Sequence, residues 1–267
     1  MLANPTLLLL VCLLTVCTAR LVTISNSLPR TDSSGAIMDM HDGKIIIVNG
    51  VYHWYAASYG DCKEPSGDTG CKGAAPGSCG FQLNHNVSLF TSTDLQLWEN
   101  QGHVLQMEDV AIPDAVLFCP KVVFNRRSGK FVMWFNWIAA GDFSQSYYAV
   151  LISQSPLGPF QLVSKKVPMA FSDTGDFNLF VDDDDKGYAI YTSHIVGYNT
   201  THRISVELLA DDYCSSLLNE SQSGFFGDSF VEAPAMFKRD KIYYGDLGKR
   251  FECLCCFFCF LTMSLCC

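Results

Sequence analysis

Four carboxylates have the placement that acid/base chemistry requires. Asp39 and Asp42 lie in MDMHDGKIII, Asp176 ends SDTGD ahead of FNLF, and Glu232 stands in SFVEAPAMFKR. Each precedes a β-branched or aromatic run, which places it at the entry of a strand. Hydrolysis of a glycosidic bond needs one carboxylic acid to protonate the leaving oxygen and one carboxylate to activate water, often with a third that tunes the acid. Groups from separate strand entries serve that chemistry only if the fold brings the entries together.

The elements that would do so recur along the chain. KIIIVNGVYHWYAAS (44–58), KVVFNRRSGKFVMWFNW (121–137), FNLFVDDDDKGYAIYTS (177–193) and APAMFKRDKIYYG (233–245) each read as strand, tight polar turn, aromatic strand. Asn49–Gly50, Ser128–Gly129 and Lys186–Gly187 supply the glycine that a hairpin turn favours. A second piece recurs between these hairpins. VSLFTSTDLQLWENQGHVL (87–105) parallels YAVLISQSPLGPFQLVSKKV, with Trp98 and Phe160 in matching places, and HRISVELLADDYCSSL echoes both. Hairpin plus hairpin makes a four-stranded unit, repeated at intervals of roughly 55 to 80 residues, as in β-propeller blades. A β-sandwich suits the strand number but not the paired repetition. In a propeller the first strand of each blade lines a common axis, where Asp39 and Asp42, Asp173 and Asp176, and Glu232 would meet.

HDGKIIIVNGVYHWYA, FCPKVVFNRRSGKFVMWFNW, GDFNLFVDDDD, GYAIYTS and EAPAMFKRDKIYYG resemble glycoside hydrolase family 43, close to its galactanase-like branch, over about Ala36 to Gly245. The resemblance implies an all-β, five-bladed β-propeller, here incomplete at three to four blades. It further implies an inverting glycosidase acting on arabinan, xylan or galactan side chains. On it, Glu232 matches the general acid, Asp176 the residue that raises the acid's pKa and orients it, and Asp42 the water-activating base, with Asp39 as the alternative. The chain departs from that branch at Phe118–Cys119–Pro120, where an acidic or arginine residue often precedes the PKV segment. His41, Trp54 and Trp137 are candidates for sugar contact, against the plainer readings of a bonded histidine and blade-core aromatics. Some relatives hold an ion at the propeller axis, so a calcium ion is left open there, and no other cofactor is expected. The run Asp182 to Asp185 reads as a solvated hairpin turn rather than a calcium loop. The competing reading is a non-catalytic carbohydrate-binding or interaction propeller, with hairpins but no acid/base pair. A fructan-cleaving propeller would need a WxND-like motif, which the sequence lacks.

Composition narrows the partners. With 27 acidic and 18 basic side chains in 267 residues, the net charge of −9 argues against nucleic acid and anionic membrane surfaces, and the family resemblance implies an oligo- or polysaccharide partner. An apolar share of 49% with 13% aromatic excludes intrinsic disorder. Leu7 to Val16, followed by Cys17, Thr18 and Ala19, reads as a signal peptide over residues 1–19, and so as a secreted protein. The sequons at Asn86, Asn199 and Asn219 agree with a glycoprotein. Residues 20–248 form the partial propeller and 249–267 an aberrant apolar tail. Of the 13 cysteines, two fall in the leader, five in the body and six in the tail. Cys62, Cys71 and Cys79 sit in the loop Gly60 to Gly80 with no zinc spacing, so a disulfide is expected there. The tail, FECLCCFFCFLTMSLCC, holds a C-x-x-C without histidine or a second spaced pair, and is read as foreign sequence replacing the remaining blades of a C-terminally truncated chain. Oligomeric state is not readable.

Overall fold

The structure is a computed structural model that describes residues 21–25, 28–59, 85–110, 112, 114–139, 145–193, 202–229 and 231–249. The leader, the cysteine loop, Asn199 and the tail beyond 249 lie outside the described residues.

Blade 1 consists of β1 (His41–Val48), β2 (Val51–Ser58), β3 (Asn86–Ser92) and β4 (Glu99–Gln106). Blade 2 consists of β5 (Ala115–Asn125), β6 (Lys130–Ala139), β7 (Ser146–Ser153) and β8 (Gln161–Ser164). Blade 3 follows with β9 (Phe177–Val181), β10 (Gly187–Ser193), β11 (His202–Leu209) and β12 (Ser216–Ser229), and β13 (Val231–Arg239) with β14 (Ile242–Lys249) forms a two-stranded fourth sheet. Each four-stranded sheet is an antiparallel meander in chain order. The first strands neighbour one another in sequence, β1 against β5, β5 against β9 and β9 against β13. This is the incomplete propeller that the repeated hairpins call for.

Apolar alternation explains the stacking. Tyr55, Leu89, Leu117, Met133 and Leu151 fill the space between blades 1 and 2. Trp134, Tyr148, Phe177, Leu179 and Tyr191 fill that between blades 2 and 3. Ile190, Ile204 and Val231 join blade 3 to the fourth sheet. The other face of blade 1 packs Trp98, Phe90 and Met38 beneath the segment that leads into β1. Trp134 donates its indole N–H to the Tyr213 carbonyl at 2.8 Å, so this fully buried ring keeps its polar atom satisfied.

The hairpin turns follow the expected chemistry with one correction. Asn49 and Gly50 have φ of 51° and 79°, the paired left-handed residues of a type I′ turn between Val48 and Val51. In the β9–β10 turn the left-handed residue is Asp185, at φ 62°, and not Gly187. Gly187 is required for another reason: a Cβ there would lie 2.7 Å from the Tyr213 ring. Asp240 and Lys241, at φ 51° and 67°, make the same primed turn in β13–β14 with no glycine at all. The acidic run is also less solvated than the sequence suggests. Asp182 is only 6% exposed and accepts Lys238 Nζ at 2.6 Å and the Tyr243 hydroxyl, which pins the fourth sheet to blade 3.

Candidate active site

One backbone irregularity recurs at the same end of three inner strands. The β1–β2 register shifts between His41 and Lys44, β5–β6 between Phe118 and Lys121, and β13–β14 between Glu232 and Ala235. Each shift contains one non-glycine residue in the left-handed region: Asp42 at φ 53°, Cys119 at 52° and Ala233 at 51°. These are β-bulges, which turn the strand and re-aim the side chains beside them. In blade 1 the bulge needs Gly43, because a Cβ would come within 2.1 Å of the Tyr55 carbonyl oxygen. In the others proline follows the bulge residue, and its fixed φ and missing N–H suit a position outside the ladder.

Asp42 and Glu232 lie at two of these bulges, and Asp176 lies near Asp42 and Cys119. Asp176, just before β9, lies within reach of the backbone N–H of Ala233, the residue after Glu232, which favours its ionised form. It accepts the Cys119 thiol at 3.6 Å, and the charge of Asp42 reaches it. Groups from all four sheets therefore meet at Asp176. Asp42 Oδ2 accepts the Tyr59 hydroxyl at 3.2 Å. Asp39 stands one step back: its Oδ1 lies 3.0 Å from His41 Nε2 and accepts the Tyr59 N–H at 3.0 Å. His41 stacks flat on Tyr59, with ring centroids 3.9 Å apart, so its ring is engaged within blade 1. Glu232 Oε1 faces His202 Nδ1 of β11 at 3.6 Å, the histidine being buried.

The tryptophans occupy packing positions. Trp137 is 6% exposed, belongs to the core between blades 1 and 2, and donates to the Lys165 carbonyl at 2.6 Å. Trp54 is half-buried, meets Trp98 edge-on at 5.2 Å and carries the Arg30 guanidinium 5.1 Å from its ring centre.

Two lysines lie among the inner strands. Lys121 Nζ, on β5, donates to the Asp42 carbonyl at 2.7 Å and the Gly43 carbonyl at 3.0 Å. Lys44 Nζ, on β1, reaches blade 3, donating to Asn178 Oδ1 at 3.1 Å and to the Leu179 carbonyl. Burial pushes Lys44 down to about 7, with the positive charge of Lys121 adding to the effect. Burial raises the Asp176 carboxyl above the ordinary aspartate value, and the negative Asp42 raises it further. Lys121, the Cys119 thiol and the Ala233 N–H oppose the shift. Tyr148, whose hydroxyl donates to the Gly175 carbonyl at 2.7 Å, is pushed well up by burial and then by Tyr191, Cys119 and Asp176. The set is thus crowded by protein, and Asp176 is poised to hold a proton at a pH where a solvated aspartate would not.

Among the described residues no group of three or more His, Cys, Asp or Glu side chains is placed to hold a metal. The carbonyl oxygens of Asp42, Gly43 and Leu179 and the Asn178 amide oxygen accept the two ammonium groups.

The sequence analysis singles out the acids and the Phe118–Cys119–Pro120 segment, and does not single out Lys44, Lys121, Tyr59 or His202. A signal for the lysines was present: H-D-G-K at 41–44 and F-C-P-K at 118–121 place a lysine two residues after the bulge position of successive blades.

Propeller sheets with carboxylates converging at the bulged ends of their inner strands define a class of glycosidase folds. The model of the glycosyl hydrolases family 43 matches residues 38–244, and the chain belongs to that family. It is similar to the solved exo-β-1,3-galactanase from Clostridium thermocellum, at 27% identity and a TM-score of 0.69, over 85% of this chain and 46% of that one. It is similar in fold to a β-1,3-galactosidase of the same family solved with galactodeoxynojirimycin, at 24% identity and a TM-score of 0.68, over 85% of this chain and 74% of that one. A third similar structure is an exo-β-1,3-galactanase from Phanerochaete chrysosporium bound to β-1,3-galactotriose, at 22% identity and a TM-score of 0.63, over 84% of this chain and 47% of that one. The chain thus spans less than half the length of the two galactanases. Comparison with curated proteins gives no match.

Proposed function

We propose that this chain carries the acid/base centre of a glycosidase acting on β-1,3-linked galactan by inversion. The observation that carries the reading is the meeting at Asp176 of groups from all four sheets: Asp42, Cys119, and the N–H beside Glu232. In this reading Glu232 protonates the departing glycosidic oxygen. Asp176, linked to the backbone next to Glu232, orients it and sustains its proton. Asp42 takes a proton from the water that attacks the opposite face of the sugar. Asp42 is preferred to Asp39 because its charge reaches Asp176, whereas Asp39 is held by His41 and the Tyr59 N–H. Galactan is preferred to arabinan or xylan because the galactanase and galactosidase structures cited above share the fold. The apolar leader and the sequons support secretion. Of the two described sequons, Asn219 lies exposed on β12 and is the accessible one.

The test is hydrolysis of β-1,3-galactobiose and of aryl β-galactoside, α-arabinoside and β-xyloside, with the product anomer followed by NMR beside Glu232→Gln. Release of α-galactose that disappears in the variant supports the assignment. Unchanged hydrolysis in the variant removes Glu232 from its role, and binding of galactan without hydrolysis gives the non-catalytic propeller instead.

A further inference from the structure

We propose that Lys121 is the positioning residue of the carboxylate centre: its ammonium, clamped on the Asp42 and Gly43 carbonyls, fixes the left-handed bulge that aims Asp42 and supplies the counter-charge shared by Asp42 and Asp176. The inference rests on the reading of Asp42 as the base and Asp176 as the residue that orients the acid. Lys121 is 6% exposed, and a buried ammonium persists only where oxygens satisfy it. It receives two, at 2.7 and 3.0 Å, and both belong to the neighbouring blade's bulge. A left-handed aspartate is a strained conformation that the surroundings must enforce. The clamp from β5 does so from across the blade boundary, where a change in blade spacing would be felt at once by the Asp42 carboxylate.

The titratable groups related to this ammonium come from three elements: Asp42, whose carbonyl it holds, and Lys44 on β1, Asp176 ahead of β9, and Cys119 on its own strand β5, which donates its thiol to Asp176. Lys44 is braced separately on Asn178 and Leu179, so it cannot take over the Asp42 carbonyls without leaving blade 3. The negative charge of Asp42 adds to burial in raising Asp176, so a cation beside Asp176 favours its ionised form. Lys121 opposes the upward shift of Asp176.

The experiment follows the Asp176 carboxyl by carbon NMR titration in the full chain, assigned by difference with Asp176→Asn, in Lys121→Met, Lys121→Gln and Lys121→Arg. Met removes both clamp and charge, Gln keeps a donor without charge, and Arg keeps both. The expected result is an upward displacement of the Asp176 midpoint by roughly one pH unit or more in Met and Gln but not in Arg. The galactosidase kcat falls roughly tenfold or more in Met and Gln, with KM changed less, and recovers in Arg. An unmoved Asp176 midpoint in folded Lys121→Gln, or an Arg variant indistinguishable from Gln, overturns the proposal. If Lys121→Met does not fold, Gln and Arg decide the matter. A chain that hydrolyses no galactoside refutes the proposed function, while the NMR titration still decides what Lys121 does.

Discussion

The backbone N–H of Ala233 favours the ionised form of Asp176, so the carboxyl at the head of blade 3 lies within reach of the residue that follows Glu232 in the fourth sheet. The Ala233 bulge thereby sets the relation between two acids from different blades, and side-chain packing alone does not have to hold it. The Cys119 thiol adds a contact from blade 2 on the same carboxyl.

Asp176→Asn separates stability from catalysis. The Asp176 pKa in the fold lies above its unfolded value, so the folded state binds more protons across that interval and stability falls as pH rises through it. Asparagine removes the buried charge. The melting temperature of the variant at pH 7 is expected to rise by about 2–4 °C, while kcat on a β-galactoside drops by about 10²-fold or more. A calorimetric scan beside a rate measurement checks both, and a variant melting below the parent contradicts the account.

Asp182 is held down to about 2 by its hydrogen bonds from Lys238 and Tyr243 and the Asp183 N–H, against the opposing effect of burial. Its folded pKa lies below the unfolded one, so its contribution to stability is complete above about pH 4 and is lost as pH falls from there to about 2. Urea midpoints measured across that window should decline less steeply in Asp182→Asn than in the parent. Equal slopes would remove this aspartate from acid unfolding.

Gly43→Ala tests the blade 1 bulge. The new methyl would meet the Tyr55 carbonyl oxygen at 2.1 Å and Ala56 Cβ at 2.6 Å, so β1 must move. The expected cost is about 3 kcal/mol in chemical denaturation. Activity should fall further than stability predicts, because Asp42 moves with its neighbour. Gly50→Ala, with nothing within 4 Å of the added carbon, meets no steric clash and feels only the strain of φ 79°.

Trp134→Phe leaves the Tyr213 carbonyl without its indole donor in the packing between blades 2 and 3. A loss of about 1–3 kcal/mol is expected from the unsatisfied acceptor and the lost ring volume, with kcat little changed. A large fall in kcat at full stability would tie this core to the centre in a way the contacts do not show.

Much of this architecture is legible in the chain because blades repeat. Aromatic strands, primed turns such as Asn49–Gly50, and the echo of 87–105 in the β7–β8 segment are local patterns that fix each meander. Asp42, Asp176 and Glu232 stand out in the chain because they head strands that must line an axis. Gly187 was read as a turn residue because its service to the Tyr213 ring depends on a contact between distant segments. Asp182 looked solvated because the Lys238 and Tyr243 that bury it lie more than fifty positions away. Lys44 and Lys121 escaped notice for a related reason: a lysine in a strand is ordinarily a surface residue, and only the assembled blades show which carbonyls it meets.

The bulges at Asp42, Cys119 and Ala233 have a consequence for how such a centre can change. Each is a socket whose backbone shape is set by its neighbours, by Gly43 in one case and by Pro120 and Pro234 in the others, while the side chain displayed differs from blade to blade. A carboxylate, a thiol and a methyl group already occupy the same kind of socket within one chain. Chemical identity at the axis is therefore exchangeable one blade at a time, with the frame carrying over unaltered.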